Sequence, residues 1–239
     1  MGICVNDPIK LERQHHENDR PVEKRHVFSD MTVCTKTYGA PPLMNRREIL
    51  RYAGVRGQAP ELEALLEECI AESEGKLSYK VCWREFPVRR REGILDLGFA
   101  ETSSSALSRN LAGCGSIVLF AATVGIGMDR QIARYSTLSP TKAVLLQALG
   151  TERIEALCDV FNEEVTREQA ALGRETHPRF SPGYGDLPLE MQRKIFDVLD
   201  CPRKIGLSLN ENLLMSPSKS VTALIGVTGE GGSEERFGQ

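Results

Sequence analysis

The sequence contains no apolar stretch that could form a transmembrane helix. A membrane span needs roughly 20 consecutive apolar residues, whereas charged residues make up 26% of the 239 residues and interrupt every apolar run. The opening MGICVNDPIKLERQ also lacks the basic-then-apolar order of a secretory signal peptide. These absences argue against a membrane protein, and we expect a globular protein of the cytoplasm.

The sequence also lacks the features of general nucleic-acid binders, of disulfide frameworks and of zinc sites. Its formal net charge is −3, without the basic excess typical of nucleic-acid binding. The seven cysteines are scattered with no CxxC pair, which favours reduced thiols in a reducing compartment. The four histidines form no HExxH pattern, so no metal site is predicted.

Composition divides the chain into three regions. Residues 1–40 are polar and weakly periodic, so we predict a partly flexible N-terminal arm. His15 and His16 in this arm could bind a metal adventitiously, although a solvated tail is the commoner role of such a segment. Residues 41–229 are predicted to form the folded domain, and residues 230–239 a flexible tail.

Hydrophobic periodicity predicts helices and strands that alternate irregularly. Helices are predicted in NRREILRYAGV, APELEALLEECIAESEG, SSSALSRNLAGC, SPTKAVLLQALGTERIEALCDVFNEEV and LEMQRKIFDVLD. Strands are predicted in LSYKVCW, ILDLGFA, SIVLFAATVG, IGLSL and SVTALIGV. Because no regular βαβ repeat emerges, we predict an α+β fold with a twisted, antiparallel-dominated β-sheet and helices packed on it.

Two of the segments between these elements are unusual, one rich in arginine and the other rich in glycine. LSYKVCW and ILDLGFA are expected to form a hairpin across RRREG, whose arginines could dock an acidic partner but more commonly form a solvated tip. GIGMDR supplies the first two glycines of a GxGxxG dinucleotide loop, but Arg130 occupies the third position. We therefore predict a turn there and no nucleotide loop.

The turn in RFSPGYGDLP combines a rigid backbone with residues suited to a ligand. Pro182 and Gly183 form a strong turn dipeptide, and Asp186 is a candidate N-cap for the helix that follows. Arg179 could form a bidentate pair with a carboxylate, and Tyr184 could lie against a planar group. The residues are equally compatible with a strand-to-helix connection in which the arginine is salt-bridged and the tyrosine half-buried, so both interpretations stay open.

A second unusual segment, Asn210–Asn212, follows the strand predicted in IGLSL. The carboxylate of Glu211 could accept hydrogen bonds from a ligand's amine or ribose. Taken alone, the segment is more typical of a surface turn.

The C-terminal half resembles the activation domain of cobalamin-dependent methionine synthase. That family carries, in order, Arg-x-x-x-Gly-Tyr, a proline-bearing turn and helix, a Gly-x-x-Leu-Thr-Glu-Ser strand and Met-x-Pro-x-x-Ser-Val. The resemblance covers residues 179–227, and upstream NRREILRYAGV and CGSIVLFAATVGIGMDRQIA look like free-standing versions of the domain. The matching residues are Arg179, Gly183, Tyr184, Gly206, Leu209, Asn210, Glu211, Asn212, Met215, Pro217, Ser220 and Val221.

This resemblance implies binding of S-adenosylmethionine at a surface that meets a cobalamin-carrying protein. Arg179 would hold the methionine carboxylate, and Tyr184 would lie between the ligand and the corrin ring. Backbone groups of Ser181, Gly183 and Asp186 would surround the ligand. The domain would position the methyl group for transfer to reduced cobalamin, and no side chain is expected to act as a general acid or base.

The family resemblance also implies partners. The 239 residues contain no DxHxxG segment for cobalamin, so a corrinoid-binding protein or a truncated methionine synthase would bring the cofactor, with flavodoxin or ferredoxin as reductant. The chain would then be one component of a methyltransferase system and not a complete enzyme.

Two departures from the family pattern leave alternatives open. The family aspartate that binds the ligand's amine has no assigned counterpart, and Glu211 and Asp96 are the candidates. Ile225–Gly226 replaces an aromatic pair of the family, which supports the alternative of a non-catalytic S-adenosylmethionine-binding or scaffold module. An independent methyltransferase is less favoured, because no glycine-rich strand–loop–helix is followed by an acidic strand residue.

Overall fold

Helices and strands alternate along residues 32–229, which are the residues that the computed structural model describes. The strands are β1 (Cys34–Tyr38), β2 (Tyr79–Pro87), β3 (Arg89–Arg91), β4 (Ile94–Asp96), β5 (Glu101–Thr102), β6 (Cys114–Thr123), β7 (Ser208–Leu209), β8 (Met215–Ser216) and β9 (Ser220–Thr228). The helices are α1 (Arg46–Tyr52), α2 (Pro60–Ser73), α3 (Ser105–Asn110), α4 (Ile126–Leu138), α5 (Pro140–Ala170), α6 (Met191–Leu199) and α7 (Cys201–Ile205).

The centre of the fold is a four-stranded antiparallel sheet in the order β1-β2-β6-β9. Helices α1, α2, α4 and α5 contribute to the apolar cluster on one face, where Val118 and Phe120 of β6 lie. Helices α3, α6 and α7, with the small sheet β3-β4-β5, cover the other face, where Ile117 and Leu119 lie. Because both faces are covered, β6 is apolar from Ile117 to Ala122 and does not alternate with polar residues there. The predicted α+β class is confirmed.

The ends of several helices follow from local capping. The side chain of Asn45 accepts a hydrogen bond from the backbone N–H of Glu48, and Ser139 caps α5 with Pro140 at its first position. The backbone N–H of Asn45 donates to the buried Glu152, not back to Glu48 as a complete capping box would require. This cap therefore also fastens α1 to α5.

The predicted hairpin across RRREG is wrong. The arginines themselves form β3, which turns at Glu92 and Gly93 and pairs with β4. Both turn residues have positive φ, 49° and 82°, as a two-residue type I′ hairpin turn requires. β2 instead pairs with β1 and β6. Alternation showed that both segments are extended, but it did not show which strand pairs with which.

The glycines of GIGMDR have structural roles at the start of α4, a helix that the sequence analysis did not predict. Gly125 precedes the helix with φ of 80°. A Cβ on Gly127 would lie 2.0 Å from the carbonyl oxygen of Lys76, so only glycine allows this close approach.

The ends of the chain differ from the prediction at one boundary. Residues 34–38, which the sequence analysis included in the polar arm, form the edge strand β1. Residues 1–31 of the predicted arm and the predicted tail 230–239 lie outside the described residues. Within residues 32–229, no helix is long and apolar enough to cross a bilayer.

Gly150, in the middle of α5, marks close packing between helices and sheet. A Cβ at this position would lie 2.7 Å from Cγ of Met128 and 2.9 Å from Cγ of Lys219. We expect Gly150→Ala to lower the free energy of unfolding by about 1–2 kcal/mol, because overpacking costs about 1–3 kcal/mol and the helix propensity of alanine offsets up to about 1 kcal/mol. Urea unfolding measures this, with the exposed Gln147→Ala on the same helix as control. A stabilised Gly150→Ala protein would contradict the packing described here.

Candidate ligand-binding site

A cleft of about 450 Å³ lies at the edge of the central sheet, beside the first half of β9. Its volume falls in the range of small-molecule sites. The residues that line it come from α5, the loop before α6, α6, β8 and β9: Glu155, Arg179, Phe180, Ser181, Pro182, Tyr184, Gln192, Met215, Ser220, Val221 and Thr222.

The cleft exists because the preceding chain covers only part of the β9 edge. Residues 175–180 run beside β9, with bridges at Thr176–Val227 and Phe180–Leu224. After Phe180 the chain turns away. Backbone groups of an edge strand point outward at every second residue. Those of Thr222 therefore point to the same side as those of Leu224. Unlike Leu224, Thr222 has no described strand paired with it on that side.

The turn after Phe180 is closed by its own hydrogen bonds. The N–H of Gly183 donates to the carbonyl of Leu187 over 2.9 Å, and the N–H of Tyr184 donates to the carbonyl of Ser181 over 3.2 Å. Gly183 and Gly185 have φ of 89° and 56°. These N–H groups are used inside the turn, so a ligand contact at Gly183 has to come from its carbonyl oxygen.

Arg179 lies at the wall of the cleft and is paired with two carboxylates of α5. Its Nη1 donates to Asp159 over 2.6 Å and its Nη2 to Glu155 over 2.9 Å. The arginine side chain is 27% exposed. Tyr184, at the rim, is 69% exposed. The arginine is thus salt-bridged, as expected if the turn is a strand-to-helix connection. The tyrosine, however, is exposed and not half-buried.

Asp186 does not cap the helix that follows it, so this part of the prediction is wrong. That helix, α6, begins only at Met191. The carboxylate of Asp186 instead accepts hydrogen bonds from the backbone N–H groups of Ser105 and Ala106 and from the hydroxyls of Ser104 and Ser105. It therefore fastens the turn to the start of α3 and does not line the cleft. These hydrogen bonds, that of the Ser104 hydroxyl first, hold the pKa of Asp186 well below its usual value.

The two predicted candidates for the ligand's amine lie away from the cleft lining. Glu211 is exposed in the β7–β8 turn, where its carbonyl oxygen accepts a hydrogen bond from Arg193. Asp96 accepts from the N–H of Gly98 in the small sheet. Glu155 is the carboxylate that lines the cleft, and sequence reasoning missed it because its pattern is that of an ordinary polar position on a long helix.

The Asn210–Asn212 segment forms the surface turn that its composition favours. The side-chain oxygen of Asn210 accepts hydrogen bonds from the backbone N–H groups of Asn212 and Leu214. The turn joins β7 and β8, and β8 brings Met215 to the cleft.

Ile225 and Gly226 are part of the core and do not line the cleft. Ile225 is fully buried against the α5 face of the sheet. A Cβ on Gly226 would lie 2.7 Å from Sγ of Cys114 and 2.8 Å from Cδ2 of Leu111. An aromatic side chain has no room here, so this difference from the family pattern follows from packing on the two faces of β9.

Two buried polar atoms of the cleft lining have no hydrogen-bond partner among the described residues, namely Oε1 of Gln192 and Oγ1 of Thr222. Buried polar atoms are nearly always paired. Other such atoms lie outside the cleft, for example those of Gln169, but the oxygens of Gln192 and Thr222 belong to residues that line the same cleft and are therefore candidates to accept hydrogen bonds from a ligand. Among the described residues, no group of three or more His, Cys, Asp and Glu side chains is placed to hold a metal ion.

The part of the chain that runs from the end of α3 through β9 matches a known family. A model of the vitamin B12 dependent methionine synthase activation domain matches residues 109–231. This chain belongs to that family. The match includes every residue that lines the cleft.

A solved structure confirms the fold. The crystal structure of the MetH reactivation domain bound to AdoHcy superposes with a TM-score of 0.58 at 17% sequence identity, covering 84% of this chain and 79% of that chain. At this identity the similarity concerns the fold alone. No curated protein matches the chain.

The attachment of the turn through Asp186 predicts a pH-dependent stability. A carboxyl group whose pKa is lowered by folding stabilises the fold above its unfolded pKa of about 4, and this contribution disappears as the pH falls through the folded pKa. Asp186→Asn should therefore lower the Tm at pH 7, and the difference from the parent should shrink below about pH 4. Thermal unfolding between pH 7 and 2.5 measures this. Asp197→Asn, at an exposed position of α6, is the control, and equal curves for Asp186→Asn and the parent would contradict the role of Asp186.

Proposed function

We propose that this chain binds S-adenosylmethionine and supports the reductive methylation of cob(II)alamin on a separate corrinoid-dependent methyltransferase of the methionine synthase type. The observation that carries the proposal is the cleft beside Arg179 and Tyr184, which lies within the part of the chain that matches the activation-domain family. Membership of that family supports a partner that carries a corrinoid.

The charges at the cleft suit this ligand. The methionine end of S-adenosylmethionine carries a carboxylate, an ammonium and a sulfonium. A guanidinium has five N–H donors, and the two ion pairs of Arg179 use one on each terminal nitrogen. The remaining donors can hold the ligand's carboxylate, while Glu155 can accept the ammonium. Arg179, Glu155 and Asp159 together carry a net charge of −1, which favours a cationic ligand.

The rim of the cleft suits a docking protein. Three exposed apolar side chains lie on the turn and in the β7–β8 connection: Tyr184 at 69%, Leu214 at 64% and Leu189 at 40%. A Cβ on Gly183 would lie 3.3 Å from Leu189, so this leucine packs against the residue that precedes Tyr184. Exposed apolar groups around a cleft are typical of interaction surfaces, and the flat ring of Tyr184 suits the plane of a corrin.

On this proposal the chain contributes binding and orientation. S-adenosylmethionine supplies a methyl cation to cobalamin that has taken up one electron, and S-adenosylhomocysteine leaves. Arg179 and Glu155 hold the amino-acid end, so that the methyl group points to the rim where the partner docks. The electron would come from flavodoxin or ferredoxin. The described cysteines form no disulfide with one another, which suits the reducing cytoplasm.

Removal of the arginine tests ligand binding. Arg179→Ala should weaken S-adenosylmethionine binding by about 2–4 kcal/mol, or roughly 30- to 1,000-fold in Kd, because a carboxylate loses its charged partner. Calorimetric titration measures this. The side chains of Glu155 and Asp159 are 41% and 62% exposed, so water can solvate both carboxylates and the fold tolerates the loss of Arg179.

A second arginine provides the control for this titration. Arg174→Ala breaks the ion pair of Arg174 with Glu85 outside the cleft and should leave the Kd unchanged. Undiminished binding by Arg179→Ala would contradict the proposed site. If the parent itself binds no ligand but does bind a corrinoid protein, the alternative of a scaffold module is favoured.

Removal of the tyrosine separates ligand binding from docking. We expect Tyr184→Ala to change the Kd for S-adenosylmethionine by less than about threefold, while binding to a cobalamin-loaded methionine synthase fragment without its own activation domain weakens by roughly tenfold or more. Surface plasmon resonance measures the second affinity. Tyr52→Ala, on α1 and 39% exposed, is the control. If Tyr184→Ala and the parent bind the fragment with equal affinity, the tyrosine is not part of the interface.

A further inference from the structure

The two orphan oxygens of the cleft belong to side chains that are almost completely buried. Gln192 is 5% exposed and Thr222 is 2% exposed. Within residues 32–229, neither Oε1 of Gln192 nor Oγ1 of Thr222 has a hydrogen-bond partner. A buried acceptor that has lost water without gaining a donor destabilises the fold. Both residues line the cleft, so a ligand in it is the nearest source of the missing donors.

Both oxygens lie on the same side of the central sheet. Side chains of a strand alternate between its faces. Leu224 belongs to the apolar cluster that includes α6, whereas Ala223 and Ile225 belong to the cluster that includes α5. Thr222, two residues before Leu224, therefore points to the α6 side, and Gln192 is itself a residue of α6.

The two sides of the cleft differ in charge. Glu155 and Asp159, the partners of Arg179, belong to α5 on the opposite face of the sheet. The α6 side contributes an amide and a hydroxyl, and Met215 of β8 adds an apolar surface beside them. The α5 side of the cleft can thus hold a charged group. The α6 side can hold an uncharged, flat and largely apolar group that has hydrogen-bond donors.

We propose that Gln192 and Thr222 bind the nucleoside end of S-adenosylmethionine. This inference rests on the proposed function and adds the residues that select the adenosyl group. The adenine amino group and the ribose hydroxyls are the donors that this end offers to the two oxygens. The thioether of Met215 and the ring of Phe180, which also lines the cleft, suit the face of a purine. The charged amino-acid end then lies toward Arg179.

The proposal predicts opposite effects on stability and on binding. Gln192→Met and Thr222→Val remove the orphan oxygens with little change of shape. The ligand-free proteins should unfold at the parent's temperature or higher, because an unpaired polar group is replaced by an apolar one. The affinity for S-adenosylmethionine should fall roughly 3- to 10-fold for each variant, since each loses a hydrogen bond to the ligand.

The control is another buried glutamine with an unpaired amide. Gln169 is fully buried and does not line the cleft, and its Oε1 and Nε2 have no partner in the part of the chain that the structure describes. Gln169→Met is therefore the same chemical change at a distant position. It should leave the affinity for S-adenosylmethionine unchanged.

Methylthioadenosine identifies the end of the ligand that is bound. This compound carries the nucleoside without the amino-acid end, so it should compete with S-adenosylmethionine in the parent and not in the Gln192→Met/Thr222→Val double variant. Calorimetric displacement measures both.

The possible negative results distinguish a failure of this inference from a failure of the proposed function. If the parent binds S-adenosylmethionine and both variants bind it equally well, the inference is wrong and the proposed function stands. Absence of competition by methylthioadenosine in the parent also overturns the inference. If the parent binds no S-adenosylmethionine, the proposed function is wrong and this inference falls with it.

Discussion

The course of the chain along the edge of β9 determines where this protein can hold a ligand. Phe180 and Leu224 exchange two backbone hydrogen bonds, of 2.9 and 2.8 Å, and the chain then turns away at Pro182. On the N-terminal side of Leu224, the outer edge of β9 has no neighbouring strand among the described residues. An open sheet edge invites pairing with other chains. Here the turn, α6 and β8 surround it and leave a cleft the size of one small molecule.

Several features of this cleft do not favour the stability of the fold by themselves. One arginine faces two carboxylates, two buried oxygens lack partners, and a tyrosine is 69% exposed. Such features are concentrated at functional sites, where a ligand or a partner completes them. Unpaired buried atoms also occur away from the cleft, as at Gln169, so it is their combination with the arginine and the exposed tyrosine that distinguishes the cleft. Glycines such as Gly127 and Gly150, by contrast, are explained by packing alone.

The sequence predicts the features that act over a few residues, and fails where contacts are distant. The turn at Pro182 and Gly183 was recognisable because its hydrogen bonds are local. Asp186 was assigned to the wrong helix because its partner Ser105 lies 81 residues away. Glu155 was missed because only the folded chain brings α5 to the turn. Membership of the family could be recognised from ordered motifs, but the motifs do not specify which side chains reach the ligand.

The central claim is that the cleft beside β9 binds S-adenosylmethionine, and a crystal structure of the chain with this ligand tests it most directly. We expect the carboxylate at Arg179, the methyl group toward Tyr184 and the nucleoside against the α6 side. The described residues form other cavities of comparable size, and one of about 440 Å³ lies between Tyr38 and the buried Arg153. Ligand density in that cavity, or none in the cleft at saturating ligand, would contradict the claim.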